Sequence, residues 1–364
     1  MKSPFTNPRF MQATLVSVIV VSICLFLALE TRTFEHIRVP AIMRPSAPED
    51  KPKAPPTPSY LEYERNSTKA EKLAYVTFLS GTVDSGDDIE KDNYLQAIRI
   101  LLWQLKHQPD TRTKHDVVVM VTPTVSQSRR DRLRKDGAII YPVEFLHTKN
   151  DTWIKAELHR WDDVMTKLRV WEMTQYDRIL MVDGDTMLRS SLDGVFDDPG
   201  AQILATKEHT TNHGDVPLPE TYLLASLSEV WDSTHSFPPG DGTGLKKMGM
   251  MNAGFFMLAP SLKAFEYYKS LMDTPGSFDP KYPEQNLMNH AHRWTGPMPW
   301  REVSYTWNIR CPSDIDLEKG VVSVHEKWWT QPYIYNNKMT KEWLLTRRWE
   351  MKGWFDAYDA KMAG

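Results

Sequence analysis

The segment 178–182 (RILMV) runs straight into Asp183-Gly184-Asp185, and no other stretch narrows the possible folds of this chain so much. An unbroken apolar run of this length reads as a strand buried on both faces, as in a sheet covered by helices. Comparable runs recur at 73–80 (LAYVTFLS), 117–121 (VVVMV), 138–145 (AIIYPVEF), 203–207 (ILATK), 255–259 (FFMLA) and 321–325 (VVSVH). Helical patterns lie between them, including 94–107 and 162–175. This alternation predicts an α/β fold with a single Rossmann-like, mostly parallel central sheet flanked by helices. Ligands of such sheets bind beyond the carboxyl ends of the strands, so the chemistry is expected at 183–185 and its neighbours.

In an extended segment, residues i and i+2 point to the same side. Asp183 and Asp185 can then reach one hard cation, and Gly184 lets the backbone come close. Oxygen donors of this kind suit Mg2+ or Mn2+. The folded part holds one thiol, Cys311, because the only other cysteine, Cys24, lies in an apolar N-terminal run. That leaves no intradomain disulfide and no cysteine-based zinc site. With 44 basic and 47 acidic residues, no basic excess points to nucleic acid.

Residues 11–29 (MQATLVSVIVVSICLFLAL) form 19 consecutive uncharged positions, close to the ~20 that span a bilayer. No small-residue cleavage pattern follows, so the run reads as an uncleaved signal anchor. The 40–58 stretch carries seven prolines and few bulky apolar residues, the composition of an extended spacer. Asn66 and Asn150 head glycosylation sequons. The expected organisation is a cytoplasmic tail at 1–11, a transmembrane anchor at 12–29, a Pro-rich stem at 30–72 and a catalytic body at 73–364. It implies a single-pass type II protein of the Golgi membrane with a lumenal body.

An apolar strand followed by D-x-D-x-T also resembles the first motif of haloacid-dehalogenase-type phosphatases, whose first Asp is a nucleophile. Such enzymes need a later acidic pair, and no GDxxxD or DD follows Ala201. A different series is present, in order. It comprises 74–80 (AYVTFLS), 167–171 (KLRVW), Asp183-Gly184-Asp185, 251–256 (MNAGFF), 284–289 (EQNLMN), and His325 with Lys327 close behind. In this series the body resembles glycosyltransferase family 8, the glycogenin-like GT-A enzymes, over about 70% of the chain, and specifically a fungal Golgi member of that family.

The resemblance implies a set of roles. Asp183, Asp185 and His325 would hold the metal, with Mn2+ favoured over Mg2+ by the histidine. Lys167 and Lys327 would offset phosphate charge, and Gly184 and Ala253 would line the donor site. Asn252, Glu284 and Gln285 would hydrogen-bond the sugar, with Asp185, Gln285 and Asn252 as the catalytic set. Thr77, Ser80 and Tyr94 would line the nucleoside pocket. This chain departs from the family in two places. Glu284 stands where Asp is usual, and 325–329 (HEKWW) contracts a longer H-x-x-G-x-x-K-P-W turn, which leaves the lysine register open. The implied activity is retaining, metal-dependent transfer of glucose, galactose or N-acetylglucosamine from a UDP-sugar to a glycan, glycoprotein or glycolipid. The alternative from another class is an inactive glycan-binding or scaffold protein on the same fold.

Overall fold

The computed structural model describes residues 57–63, 70–81, 86, 88–158, 163–208, 216–330 and 336–363. These lie in the unit Pro55–Gly364. The elements run, in order, β1 (Leu61–Glu62), β2 (Leu73–Leu79), α1 (Asn93–Lys106), β3 (Asp116–Val121), α2 (Gln127–Lys135), β4 (Ile139–Pro142), a 3-10 helix (Val164–Glu172), β5 (Arg178–Val182) and β6 (Thr186–Leu188). A second 3-10 helix (Asp193–Asp197) leads to β7 (Leu204–Ala205), β8 (Thr221–Tyr222), β9 (Leu224–Ser228), β10 (Met251–Leu258), α3 (Leu262–Met272) and α4 (Pro283–Ala291). Then follow β11 (Arg301–Glu302), β12 (Asn308–Arg310), α5 (Asp314–Glu318), β13 (Ser323–His325) and α6 (Lys338–Ala363).

Side-chain alternation along the strands explains the layers. In β5, Ile179 and Met181 join one apolar cluster, while Leu180 and Val182 join the other. The same split separates Ala74 and Val76 from Tyr75 and Leu79 in β2. One cluster takes in Leu168 and Trp171 of the first 3-10 helix, Phe265 and Tyr268 of α3, and Leu287 of α4. The other takes in Leu95, Ile98, Leu101, Leu102 and Leu105 of α1. A sheet covered on both faces requires strands that are apolar throughout, which is why β5 could be read from its run of side chains. Each fully buried Leu, Ile, Met or Val contributes roughly 1.5–3 kcal/mol.

The central sheet has seven strands in the order β11-β9-β10-β5-β2-β3-β4. Strands β5, β2, β3 and β4 are parallel neighbours, and β11 is parallel to β9. Strand β10 is antiparallel to both β5 and β9. The sheet is therefore mixed, and it is not the only one. Two further three-stranded sheets, β1-β7-β8 and β12-β13-β6, correct the expectation of a single sheet.

The expected anchor at 12–29, and the sequon at Asn66, lie outside the described residues. Among the described residues, no helix is long and apolar enough to cross a membrane. The Golgi-membrane placement read from the sequence is corrected on that finding. Part of the expected stem is also ordered. Leu61 and Glu62 pair with Ala205 and Leu204, and the Tyr60 hydroxyl donates to Trp300 O at 3.2 Å.

At the end of α4, His292 is buried and accepts from the Tyr268 hydroxyl at 2.6 Å while its Nδ1–H donates to Met298 O at 2.7 Å. Burial lowers its pKa from 6.5 to about 4. The folded chain thus holds His292 neutral, whereas the unfolded chain takes up a proton below about pH 6.5. Stability from this group is present above pH 6.5 and lost as the pH falls from about 6.5 to about 4, to a total of roughly 3 kcal/mol. Urea unfolding at pH 7.5 and 4.5 is expected to show this loss, and His292→Gln is expected to remove its share of the slope.

Candidate functional site

Val182 stands opposite Phe255 across the antiparallel β5–β10 pair. The chain leaving β5 therefore passes Gly254, and Asp183 N–H donates to Gly254 O at 2.7 Å. Thr186 N–H then closes back on Asp183 O at 3.0 Å. Residues 183–185 thus form a tight turn, not the extended segment expected from the sequence. Gly184 sits at its inner corner, where a Cβ would lie 2.3 Å from Ile98 Cγ1. Beyond the turn, β6 pairs with β13, placing His325 opposite Thr186, and Glu326 N–H donates to Asp185 O at 3.1 Å.

The outcome is a convergence of Asp183, Asp185 and His325, whose ligand atoms all lie within 4.8 Å of one another. His325 Nε2 is 3.1 Å from Asp185 Oδ1 and 3.8 Å from Asp183 Oδ2. Two carboxylates with one imidazole form a donor set that fits a borderline-hard divalent cation. The backbone leaves room for it, because a Cβ on Gly254 would fall 2.2 Å from His325 Cε1.

Two lysines counter the carboxylates. Lys327 Nζ lies 2.6 Å from Asp185 Oδ2, and Lys167 Nζ lies 2.7 Å from Asp183 Oδ1 and 3.3 Å from Glu284 Oε1. Burial pushes the Asp185 pKa up, but Lys327 and His325 outweigh it and hold the carboxyl well below the usual range. Burial pulls the Lys167 and Lys327 pKa values down, but the neighbouring carboxylates reverse that, so both ammonium groups stay charged. Burial raises the Glu326 carboxyl to about 7.

Asn252, Ala253 and Gly254 occupy an irregularity in β10, where the pairing with β9 slips between Met251 and Phe256. The Ser226 hydroxyl, 2.8 Å from both Asn252 O and Phe255 O, has one proton to share between carbonyls that the slipped ladder leaves behind. Asn252 Oδ1 accepts from Gly254 N–H at 2.8 Å, and its amide donates to Glu229. From α4, Gln285 Oε1 accepts from Ala253 N–H at 3.0 Å.

These groups surround a cavity of about 370 Å3. Of the residues expected from the sequence, Lys167, Asp183, Asn252, Ala253, Glu284, Gln285, His325 and Lys327 line it, while Gly184 and Asp185 form the turn beside it. Thr77, Ser80 and Tyr94 do not line it. Thr77 is buried within β2, and the Ser80 hydroxyl is bonded to Asp163 and to Thr122. Tyr94 packs edge-on against Trp329 with ring centroids 5.2 Å apart.

With this geometry in view, no protein-family profile matches the chain. Over 280 residues it is 27% identical to an uncharacterized protein of Schizosaccharomyces pombe, a match covering 71% of this chain and 73% of that one. Over 304 residues it is 25% identical to galactinol synthase 2 of Arabidopsis thaliana, covering 81% and 83%. Among solved structures, the galactosyltransferase LgtC in complex with donor and acceptor sugar analogs aligns with a TM-score of 0.45 at 15% identity, covering 75% of this chain and 95% of that one. The likeness to galactinol synthases supports a glycosyltransferase of the kind the sequence motifs resemble.

The cavity also contains residues that sequence reasoning missed: Glu229, Trp231, Lys246, Tyr282 and Arg310. Glu229 follows β9 directly, and Arg310 ends β12. They pair at 2.8 Å, while Glu229 also receives the Asn252 amide. The available signal was the one that exposed Asp183, a polar residue just past a short apolar run. Strand β9 reads LASLS, and its serines and alanine blur that signal.

Proposed function

We propose that the chain is a retaining, metal-dependent glycosyltransferase, moving a hexose or N-acetylhexosamine from a UDP-sugar to a hydroxyl of a glycan, glycoprotein or glycolipid. The observation that carries this reading is the convergence of Asp183, Asp185 and His325 within 4.8 Å, with two lysines on the aspartates. Asp183, Asp185 and His325 would hold Mn2+, which when bound supplies Lewis-acid stabilisation of the leaving diphosphate. Among glucose, galactose and N-acetylglucosamine, the likeness to proteins named galactinol synthases favours galactose.

The residues of the chain then have defined work. Asn252 and Gln285 present amides to sugar hydroxyls, each oriented by a backbone N–H. Glu284, held by Lys167, offers an acceptor oxygen beside them. Lys167 and Lys327 can turn from the aspartates toward phosphate oxygens and keep their charge while doing so. The carboxylates of Asp183, Glu229 and Glu284 are all ion-paired, which favours direct same-face attack over a carboxylate nucleophile. In that step the acceptor oxygen bonds to C1 as the C1–O bond to phosphate breaks. The bonding pair leaves on the diphosphate, and the acceptor's proton passes to the departing phosphate oxygen.

The pairing pattern predicts how the donor binds. A cation arriving alone meets carboxylates already countered by ammonium groups. A cation arriving with a diphosphate brings the negative charge that the lysines need. Calorimetry is expected to show UDP binding at least about tenfold more tightly with Mn2+ than with EDTA, a coupling of about 1.4 kcal/mol. Equal UDP affinity in both buffers would overturn the metal assignment. The alternative, a sugar-binding scaffold, is disfavoured by the intact metal-ligand set, and a scaffold would release no UDP from a UDP-sugar.

A further inference from the structure

The outer wall of the cavity is built differently from its floor. Trp231, Lys246 and Tyr282 line it, and Trp231 is 63% exposed. Large exposed aromatics at the mouth of a polar cavity mark a binding surface. This one is braced. Trp231 N–H donates to Gly244 O at 2.8 Å, Lys246 N–H donates to Glu229 O at 2.8 Å, and Val230 bridges to Leu245. Tyr282 immediately precedes α4, the helix that carries Glu284 and Gln285. The wall is therefore tied to the groups that face the sugar, on β10 and α4.

Its charge is distinctive. Lys167 is paired with Asp183 and Glu284, Lys327 with Asp185, and Arg310 with Glu229. Lys246 lines the same cavity and makes no ion pair among the described residues. Its ammonium instead lies over the faces of Tyr282, 4.4 Å from the ring centroid, and of Trp231, at 5.4 Å. Cation–π contacts at open sites are weak, so the ammonium keeps most of its capacity for an anion.

We propose that Trp231, Lys246 and Tyr282 form the acceptor subsite, and that the acceptor is a sugar or polyol carrying a carboxylate or phosphate. A ring face rests on the aromatic side chains, and Lys246 receives the anionic group. The subsite rests on the glycosyltransferase reading above, and it adds a substrate class that reading does not contain.

Isothermal titration calorimetry on the full chain with Mn2+ and saturating UDP, corrected for probe titrated into the same buffer without protein, tests it. The probes are methyl glucuronide, glucose 6-phosphate and neutral methyl glucoside. At least one anionic probe is expected to bind about tenfold or more tightly than methyl glucoside. Lys246→Met is expected to abolish that preference, and Trp231→Ala to weaken charged and neutral probes alike. Trp231 is so exposed that this variant should keep the wild-type Tm. Which anionic probe wins separates carboxylate from phosphate. Equal binding of charged and neutral probes, or a preference that survives Lys246→Met, overturns the proposal. So does an anion preference that appears in the donor sugar instead, with UDP-glucuronate favoured over UDP-glucose and lost in Lys246→Met. If UDP itself does not bind with Mn2+, the glycosyltransferase reading fails first and the subsite with it. If UDP binds and no probe does, only the subsite fails.

Discussion

The Asp185→Asn protein is expected to lose roughly 10²–10³-fold in Mn2+-dependent UDP release from a UDP-sugar. Asp185 is 4% exposed, with Lys327 at 2.6 Å and His325 at 3.1 Å. Removing its charge takes away a proposed metal ligand and leaves the Lys327 ammonium without its counter-ion. Breaking a buried ion pair from one side costs about 3–5 kcal/mol, so this single variant is also expected to unfold at lower temperature. A second substitution separates the two consequences. In Asp185→Asn/Lys327→Met the stranded ammonium is gone, and Tm is expected to recover most of its loss while turnover does not return. Turnover at the wild-type rate in the single variant, or recovered in the double, would show that Asp185 serves only the fold.

Gly254→Ala should be nearly as damaging, for a steric reason. The added Cβ would lie 2.2 Å from His325 Cε1, 2.8 Å from His325 Nδ1 and 2.9 Å from Asn252 Oδ1. Either His325 swings away from the aspartates or β10 draws back from β5, breaking the bond from Asp183 N–H to Gly254 O. Both movements open the proposed metal-ligand set. Overpacking of this kind costs roughly 1–3 kcal/mol, and UDP turnover is expected to fall about 10²-fold with the loss of ligand geometry. Adding His325→Ala removes the two contacts to the imidazole and leaves only the approach to Asn252 Oδ1, so much of the stability should return while Mn2+-supported UDP binding stays weak. Wild-type Mn2+-supported binding in Gly254→Ala would contradict the placement of His325.

Both effects depend on a site that was only partly visible in the amino-acid order. Strand β5 and its aspartates were legible because the information is local, an apolar run ending in carboxylates. Helix α1 was legible for the same reason, its pattern at 94–107 matching Asn93–Lys106. The stretch at 162–175 was read as helical, and its core is the 3-10 helix Val164–Glu172 that carries Lys167. Strand β10 begins earlier than its apolar run suggested, at Met251, because the slip at 251–256 places a polar Asn and a Gly inside the strand. The short strands β6 and β12 hold three residues each, too few for any periodicity. Yet β6 decides that His325 meets Asp185, which depends on pairing across about 140 residues and leaves no local trace. The long helix α6 was missed because it buries only Thr340, Leu344, Met351 and Phe355, so its apolar stripe is thin. Thr77, Ser80 and Tyr94 came from the family resemblance; none of them lines the cavity, although Tyr94 packs on Trp329 and lies near the cavity residue Lys327.

The central claim is that Asp183, Asp185 and His325 hold a cation that makes a UDP-sugar reactive. The most direct measurement is UDP release by the full chain from UDP-galactose, UDP-glucose and UDP-N-acetylglucosamine, with Mn2+, with EDTA, and with Mn2+ restored. Release from at least one donor with Mn2+, abolished by EDTA and recovered on adding Mn2+ back, is the expected result. Release that is indifferent to EDTA, or none from any donor while UDP still binds, would contradict it.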